Sequence, residues 1–66
     1  MSAPQGGDAV ERLEAWLADD KLREVEKMRD GRDEFEVVLN TGIASHEGFG
    51  PSLSAAITAA LDRAES

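Results

Sequence analysis

The segment from Phe35 to Ala64 constrains the fold more than any other part of this chain of 66 residues. Glu34-Phe35-Glu36-Val37-Val38-Leu39 alternates, which predicts a strand with Phe35, Val37 and Leu39 inward and Glu34 and Glu36 outward. Asn40-Thr41-Gly42 supplies a three-residue hairpin loop with glycine where the backbone turns left-handed. Ile43 to Glu47 returns antiparallel, and Gly48 and Gly50 end that strand with a tight strand-to-helix turn. Pro51 fits the first turn of a helix over 51–64, because its missing N–H has no partner there. Leu53, Ile57, Ala60, Leu61 and Ala64 recur at helical spacing as the buried stripe of that helix.

Upstream, Met1 to Gly7 holds a proline, two glycines and no large apolar side chain beyond the first residue, so residues 1–7 read as a disordered tail before one domain over 8–66. Asp8 with Glu11 three residues on makes a capping-box-like start, and Val10, Leu13 and Leu17 repeat at helical spacing beside Trp16. This predicts a helix over 8–19. Residues 21–32 are open to two readings. Leu22, Val25 and Met28 are spaced for a helix, but one rotated away from Val10, Leu13 and Leu17. An edge strand over about 22–29 ending at Asp30-Gly31 is preferred, since Asp-Gly before an alternating run signals a hairpin and dense charge suits a sheet edge. The fold class is therefore α+β, ordered α-β-β-β-α: a three-stranded antiparallel sheet with two helices on one face. The other face stays wet, and Glu34, Glu36 and His46 are expected on it.

Fourteen Asp and Glu against seven Lys and Arg leave a formal charge of −7. That field repels phosphate backbones and anionic lipid and attracts basic proteins, so direct contact with nucleic acid or membrane is not expected. The same charge also serves solubility, and the scarcity of lysine fits adaptation to high salt or, equally, the base composition of the genome. There is no cysteine, hence no disulfide or thiolate metal site. The N-terminal residues lack the basic start and apolar run of a signal peptide, and no stretch approaches the roughly 20 apolar residues that span a bilayer. A cytoplasmic protein is expected.

The αβββα order, with Gly48-Phe49-Gly50-Pro51-Ser52 leading into an Ala-rich helix, resembles the double-stranded-RNA-binding domain. In that family a Gly-x-Gly-x-Ser-Lys-Lys-x-Ala-Lys motif opens the last helix. The likeness covers about residues 8–64 and is close only over 35–64. Gly48, Gly50, Ser52 and Ala56 match the motif, whereas its paired lysines fall on Leu53 and Ser54 and its third basic position on Ile57. The resemblance implies the fold, and the lost lysines imply that RNA binding is not inherited. The chain is also similar to small phage- and prophage-borne proteins whose last helix opens with Gly-x-Gly-x-Thr/Ser-Leu, which implies a genomic context and no activity.

No catalytic, cofactor or metal site is read from the residues. His46 is the only histidine, and Glu47 beside it points to the opposite face of a strand. Ser52 and Ser54 sit where helix caps belong and lack a base and an orienting group. So small a domain has little room for a substrate pocket, and an enzyme is not expected. Asp30, Asp33, Glu34, Glu36 and Glu47 form the candidate partner-binding set, clustered toward one end of the sheet. Carboxylates two apart on a strand are spaced about 6.5–7 Å, comparable to phosphates along a nucleic-acid strand. The expected function is a non-enzymatic acidic protein-binding module, of the phage or mobile-element inhibitor type. It would occupy a basic nucleic-acid-binding site of a host protein, in the manner of anti-CRISPR and DNA-mimic proteins. The alternative is a small interaction or assembly domain whose acidity serves only solubility. The small outer side of the last helix (Ser54, Ala55, Thr58, Ala59, Asp62) would admit a homodimer.

Overall fold

Two helices cover one face of a three-stranded antiparallel sheet in a computed structural model that describes the backbone of residues 5–66 and the side chains from Asp8 onward. Helix α1 runs Gln5–Asp19, strands β1, β2 and β3 run Glu24–Asp30, Phe35–Asn40 and Ser45–Gly50, and helix α2 runs Leu53–Glu65. The α-β-β-β-α order is the expected one, and residues 21–32 resolve in favour of the strand. Of the expected tail, residues 1–4 lie outside the described residues, while Gln5 to Gly7 already belong to α1.

Ala9, not Val10, enters the core beside Leu13 and Trp16, and the helix already runs upstream of it from Gln5. Asp8 is thus a first-turn residue, where its charge complements the helix dipole, rather than the cap. Val10 is left 43% exposed. The C-terminal end of α1 is closed by Asp20, whose Oδ1 accepts the Leu22 N–H at 2.9 Å and whose carbonyl accepts the Arg23 N–H at 3.0 Å. Arg23 folds back over Trp16, with Cζ 4.9 Å from the ring centroid, and donates to the Trp16 carbonyl at 3.0 Å.

In the sheet, Phe35, Val37 and Leu39 of the central strand face the helices as the alternation predicted, and Val37 and Leu39 are fully buried. The β1–β2 turn, Gly31 to Glu34, is closed by the Gly31 N–H to the Glu34 carbonyl at 2.9 Å. Glu34 therefore precedes the strand. The β2–β3 turn is one residue longer than the sequence suggested, Thr41 to Ala44, closed by the Thr41 N–H to the Ala44 carbonyl at 2.9 Å. Gly42 supplies its left-handed residue (φ 99°), and Asn40 Oδ1 accepts the Gly42 N–H at 2.7 Å. The longer turn delays β3 to Ser45 and carries Ile43 out of it, to 94% exposure.

Gly48 and Gly50 lie inside β3, not in a turn after it, and neither has a positive φ. Both register opposite inward residues of β2, Val37 and Phe35, and so face α2. A Cβ on Gly48 would overlap the Ala60 nitrogen and the Ala56 carbonyl oxygen, and one on Gly50 would stand 2.6 Å from Ala55 Cβ. The glycines thus let α2 lie directly on the strand, with Ala56 and Ala60 as the small residues at the contact. Pro51 precedes the helix instead of opening it, because Ser52 takes the N-cap: its Oγ accepts the Ala55 N–H at 3.2 Å. Ile57, Ala60 and Leu61 are buried as the stripe predicted, joined by Ala56.

Candidate functional site

With both helices on one side, the opposite face of the sheet carries only side chains. Glu36, Val38 and Asn40 alternate outward from β2, and the strand register assembles their neighbours in rows. Arg29, Glu36 and Phe49 form one row, and Lys27, Val38 and Glu47 the next. Beyond them Asn40 lies beside Ser45. The ladder between β1 and β2 shifts between Val25 and Lys27, leaving Glu26 as an extra residue in the edge strand. Glu26 Oε1 accepts both Asn40 Nδ2 and Ser45 Oγ at 2.9 Å, which ties all three strands together across this face. Those two bonds, that from Asn40 first, hold the Glu26 carboxyl below the usual glutamate range.

The result is one carboxylate per strand, Glu26, Glu36 and Glu47, lining an open depression of about 510 Å³ with Lys27 and Val38. Val38 is 6% exposed although no helix covers it, so long neighbouring side chains shield it with their methylene stems. Lys27 Nζ stands 4.0 Å from Glu36 Oε1, and Glu36 is itself largely covered. His46 and Arg63 reach the rim of the depression at the outer side of β3.

The five acids expected to act together divide into groups. Glu36 and Glu47 share the bare face. Asp33 and Glu34 lie in the β1–β2 turn and join Glu36 around a second depression, where Arg29 and Arg32 stand among them. Asp30 is in register with Phe35 and so belongs to the helix-facing side. Glu34 and Glu36 are not two consecutive outward residues of one strand, because Glu34 is spent in the turn. His46 also differs from expectation: it registers opposite Leu39 and faces the helix side, a consequence of the later start of β3.

Sequence reasoning missed Glu26 and Phe49. Nothing local marks Glu26, since its direction is set by a bulge in pairing with β2. Phe49 could have been found, because Gly-Phe-Gly is itself an alternation, with its aromatic ring on the outward position.

The small-residue side of α2 forms one wall of an open groove. Ser54, Ala55, Thr58 and Ala59 line a groove whose other wall is Asp8, Ala9 and Arg12 of α1. Arg12 Nη2 bridges the helices, donating to Asp62 Oδ1 at 2.8 Å and Glu65 Oε1 at 2.7 Å. The two acceptors, Glu65 foremost, raise the affinity of this guanidinium for its proton. Among the described residues no group of three His, Cys, Asp or Glu side chains is placed to hold a metal ion, and no helix is long and apolar enough to cross a membrane.

Compared with models of known protein families, with curated proteins and with solved structures, the chain matches none.

Proposed function

We propose that this protein is a non-enzymatic binding module that engages a basic protein surface through the bare face of its sheet. The observation that supports this most directly is the set Glu26, Glu36 and Glu47, one carboxylate from each strand, around a single depression on a face that no helix covers. Phe49, 45% exposed on the same face, adds an apolar contact beside the charge. A net charge of −7 extends the attraction beyond the contact itself. Partners whose cationic groups ordinarily meet phosphate are the class this surface suits, which keeps the mimic reading as its sharpest form.

Lys27 and Arg29 favour a second reading. They interleave with the carboxylates on β1, and Arg63 reaches the same depression on the β3 side, so the face is a mixed polar patch in which carboxylates predominate. A small assembly domain, using Phe49 as its contact and acidity for solubility, would show the same mixture.

Capture from a host lysate with tagged protein, washed at rising salt, separates the two readings when the variants are compared. Glu36→Gln combined with Glu47→Lys should abolish a salt-sensitive partner, because charge across an interface is screened over about 8–10 Å at physiological ionic strength. Glu11→Lys with Glu14→Lys, on the exposed side of α1, should retain it. Equal losses in both pairs would indicate nonspecific attraction. Measurable affinity for duplex RNA or DNA at physiological salt would overturn the proposal.

A further inference from the structure

The two edges of the sheet are built differently. The β1 edge is interrupted by the irregularity at Glu26 and crowded by Glu24, Lys27, Arg29 and Asp30, which are devices that discourage another strand from adding. The β3 edge has fewer of them: one charged residue of its own, Glu47, with Arg63 of α2 nearby, and no irregularity. Its pairing with β2 runs unbroken from Phe35↔Gly50 to Asn40↔Ser45, and Ser45-His46-Glu47-Gly48-Phe49-Gly50 contains no proline, no lysine and no bulge.

The direction of the backbone groups follows from the turns. The closing bond between Thr41 and Ala44 makes that pair a hydrogen-bonded one, and antiparallel ladders alternate. Leu39/His46, Val37/Gly48 and Phe35/Gly50 are then the bonded pairs. The bond closing the other turn, Gly31 to Glu34, assigns Glu36 and Val38 to pairing with β1, which agrees with this alternation. The N–H and C=O groups of Ser45, Glu47 and Phe49 consequently point away from the sheet. No backbone or side-chain hydrogen bond to them is present among the described residues.

We propose that the outer edge of β3 accepts an extended segment of a basic partner protein as a fourth strand. The inference rests on the basic-partner reading above and names how that partner is held. Side chains of the added strand that point to the bare face would lie beside Glu47, with Glu36 and Glu26 lining the same depression, and there a lysine or arginine is favoured. Those pointing to the helix side would lie beside His46 and Gly48 with Arg63 at the rim, where an uncharged residue is favoured. The recognised pattern is cation alternating with apolar, held by main-chain bonds and selected by charge. A second copy of this chain fits worse. The self-pairing register that uses all three outward residues sets Glu47 opposite its own counterpart, and both molecules carry −7.

The test uses a blocked peptide of alternating Lys and Val, its analogue N-methylated on alternate backbone nitrogens, and a peptide alternating Glu and Val. Binding to the full chain is read by amide hydrogen exchange. The Lys/Val peptide should slow exchange at Glu47 and Phe49 roughly tenfold or more, leaving Met28 of the opposite edge unchanged. The version methylated on the face toward β3 and the Glu/Val peptide should fail to do so. If the methylated peptides bind as tightly and the Glu47 and Phe49 amides stay exposed, strand addition is overturned while the basic-partner reading survives. If neither cationic peptide binds, both fall. Protection of these amides in the protein alone, lost on dilution, would overturn the proposal in favour of self-pairing.

Discussion

Gly48 of β3 lies so close beneath Ala60 of α2 that a single added methyl group would overlap the Ala60 nitrogen and the Ala56 carbonyl oxygen. Backbone atoms cannot swing aside as a side-chain tip can. Gly48→Ala must therefore lift the helix from the strand, at a cost of about 1–3 kcal/mol or more for overpacking. A domain this small holds only about 3–5 kcal/mol in its core. Urea denaturation followed by the fluorescence of Trp16, the only tryptophan, should show the Gly48→Ala midpoint moved to much lower urea, with a large part of the stability lost. Gly50→Ala, whose nearest neighbour is the Ala55 methyl group, should cost less. Equal and negligible effects would mean that the helix does not lie on the strand.

The same pair of residues explains why the sequence was legible in some places and not in others. Phe35, Val37 and Leu39 were readable because an alternating run carries its own period, and Asp30-Gly31 and Gly42 because turns are decided within a few residues. Gly48 and Gly50 read as a turn in the sequence alone, since glycine's local meaning is backbone freedom. Here it answers to a helix that crosses the strand, which no local window contains. The rotation of α1 was hidden for a related reason: whether Ala9 or Val10 faces inward depends on how closely α2 approaches. In the candidate site, Glu36 could be placed from strand alternation, whereas Glu26 depended on a bulge, and His46 and Glu47 alike on one extra residue in the preceding turn.

The rotation of helix α1 can be checked against a core position of α2. Ile57 is 1% exposed in the core, while Val10, apolar and helically spaced, is 43% exposed. Ile57→Ala should cost about 2–4 kcal/mol, and Val10→Ala should stay within roughly 0.5 kcal/mol. Ala9→Leu, at 3% exposure, should destabilise by about 1–3 kcal/mol through overpacking. Thermal melts of the three variants check the rotation. A costly Val10→Ala with a silent Ala9→Leu would turn the helix the other way.

Arg12 is the polar link between the two helices, bonded to both Asp62 and Glu65 with its side chain 37% exposed. Exposed ion pairs contribute about 0.2–1 kcal/mol each and are screened by salt. Arg12→Met keeps most of the aliphatic stem and removes the charge. Its destabilisation should be modest at low ionic strength and should shrink in molar salt. Denaturation midpoints at the two salt concentrations provide the measurement, and a loss independent of salt would assign the role of Arg12 to packing.

Glu26 carries the clearest pH dependence. Its carboxylate accepts hydrogen bonds from Asn40 and Ser45, so the folded state binds the proton less readily than the unfolded chain. A group whose folded pKa is lowered contributes its stabilisation in full above the unfolded value, about 4.3 for glutamate. The contribution is lost as pH falls through the lower, folded value. NMR titration of the side-chain carboxyl should therefore place the Glu26 midpoint below the ordinary glutamate value. Asn40→Ala should move that midpoint up more than Ser45→Ala, because the amide bond is the larger cause. Glu26→Gln retains an acceptor oxygen but cannot titrate, so it should flatten the acid limb of the stability curve while leaving the neutral fold intact. A Glu26 midpoint at or above the ordinary value would mean that the three strands are not tied across the bare face in this way.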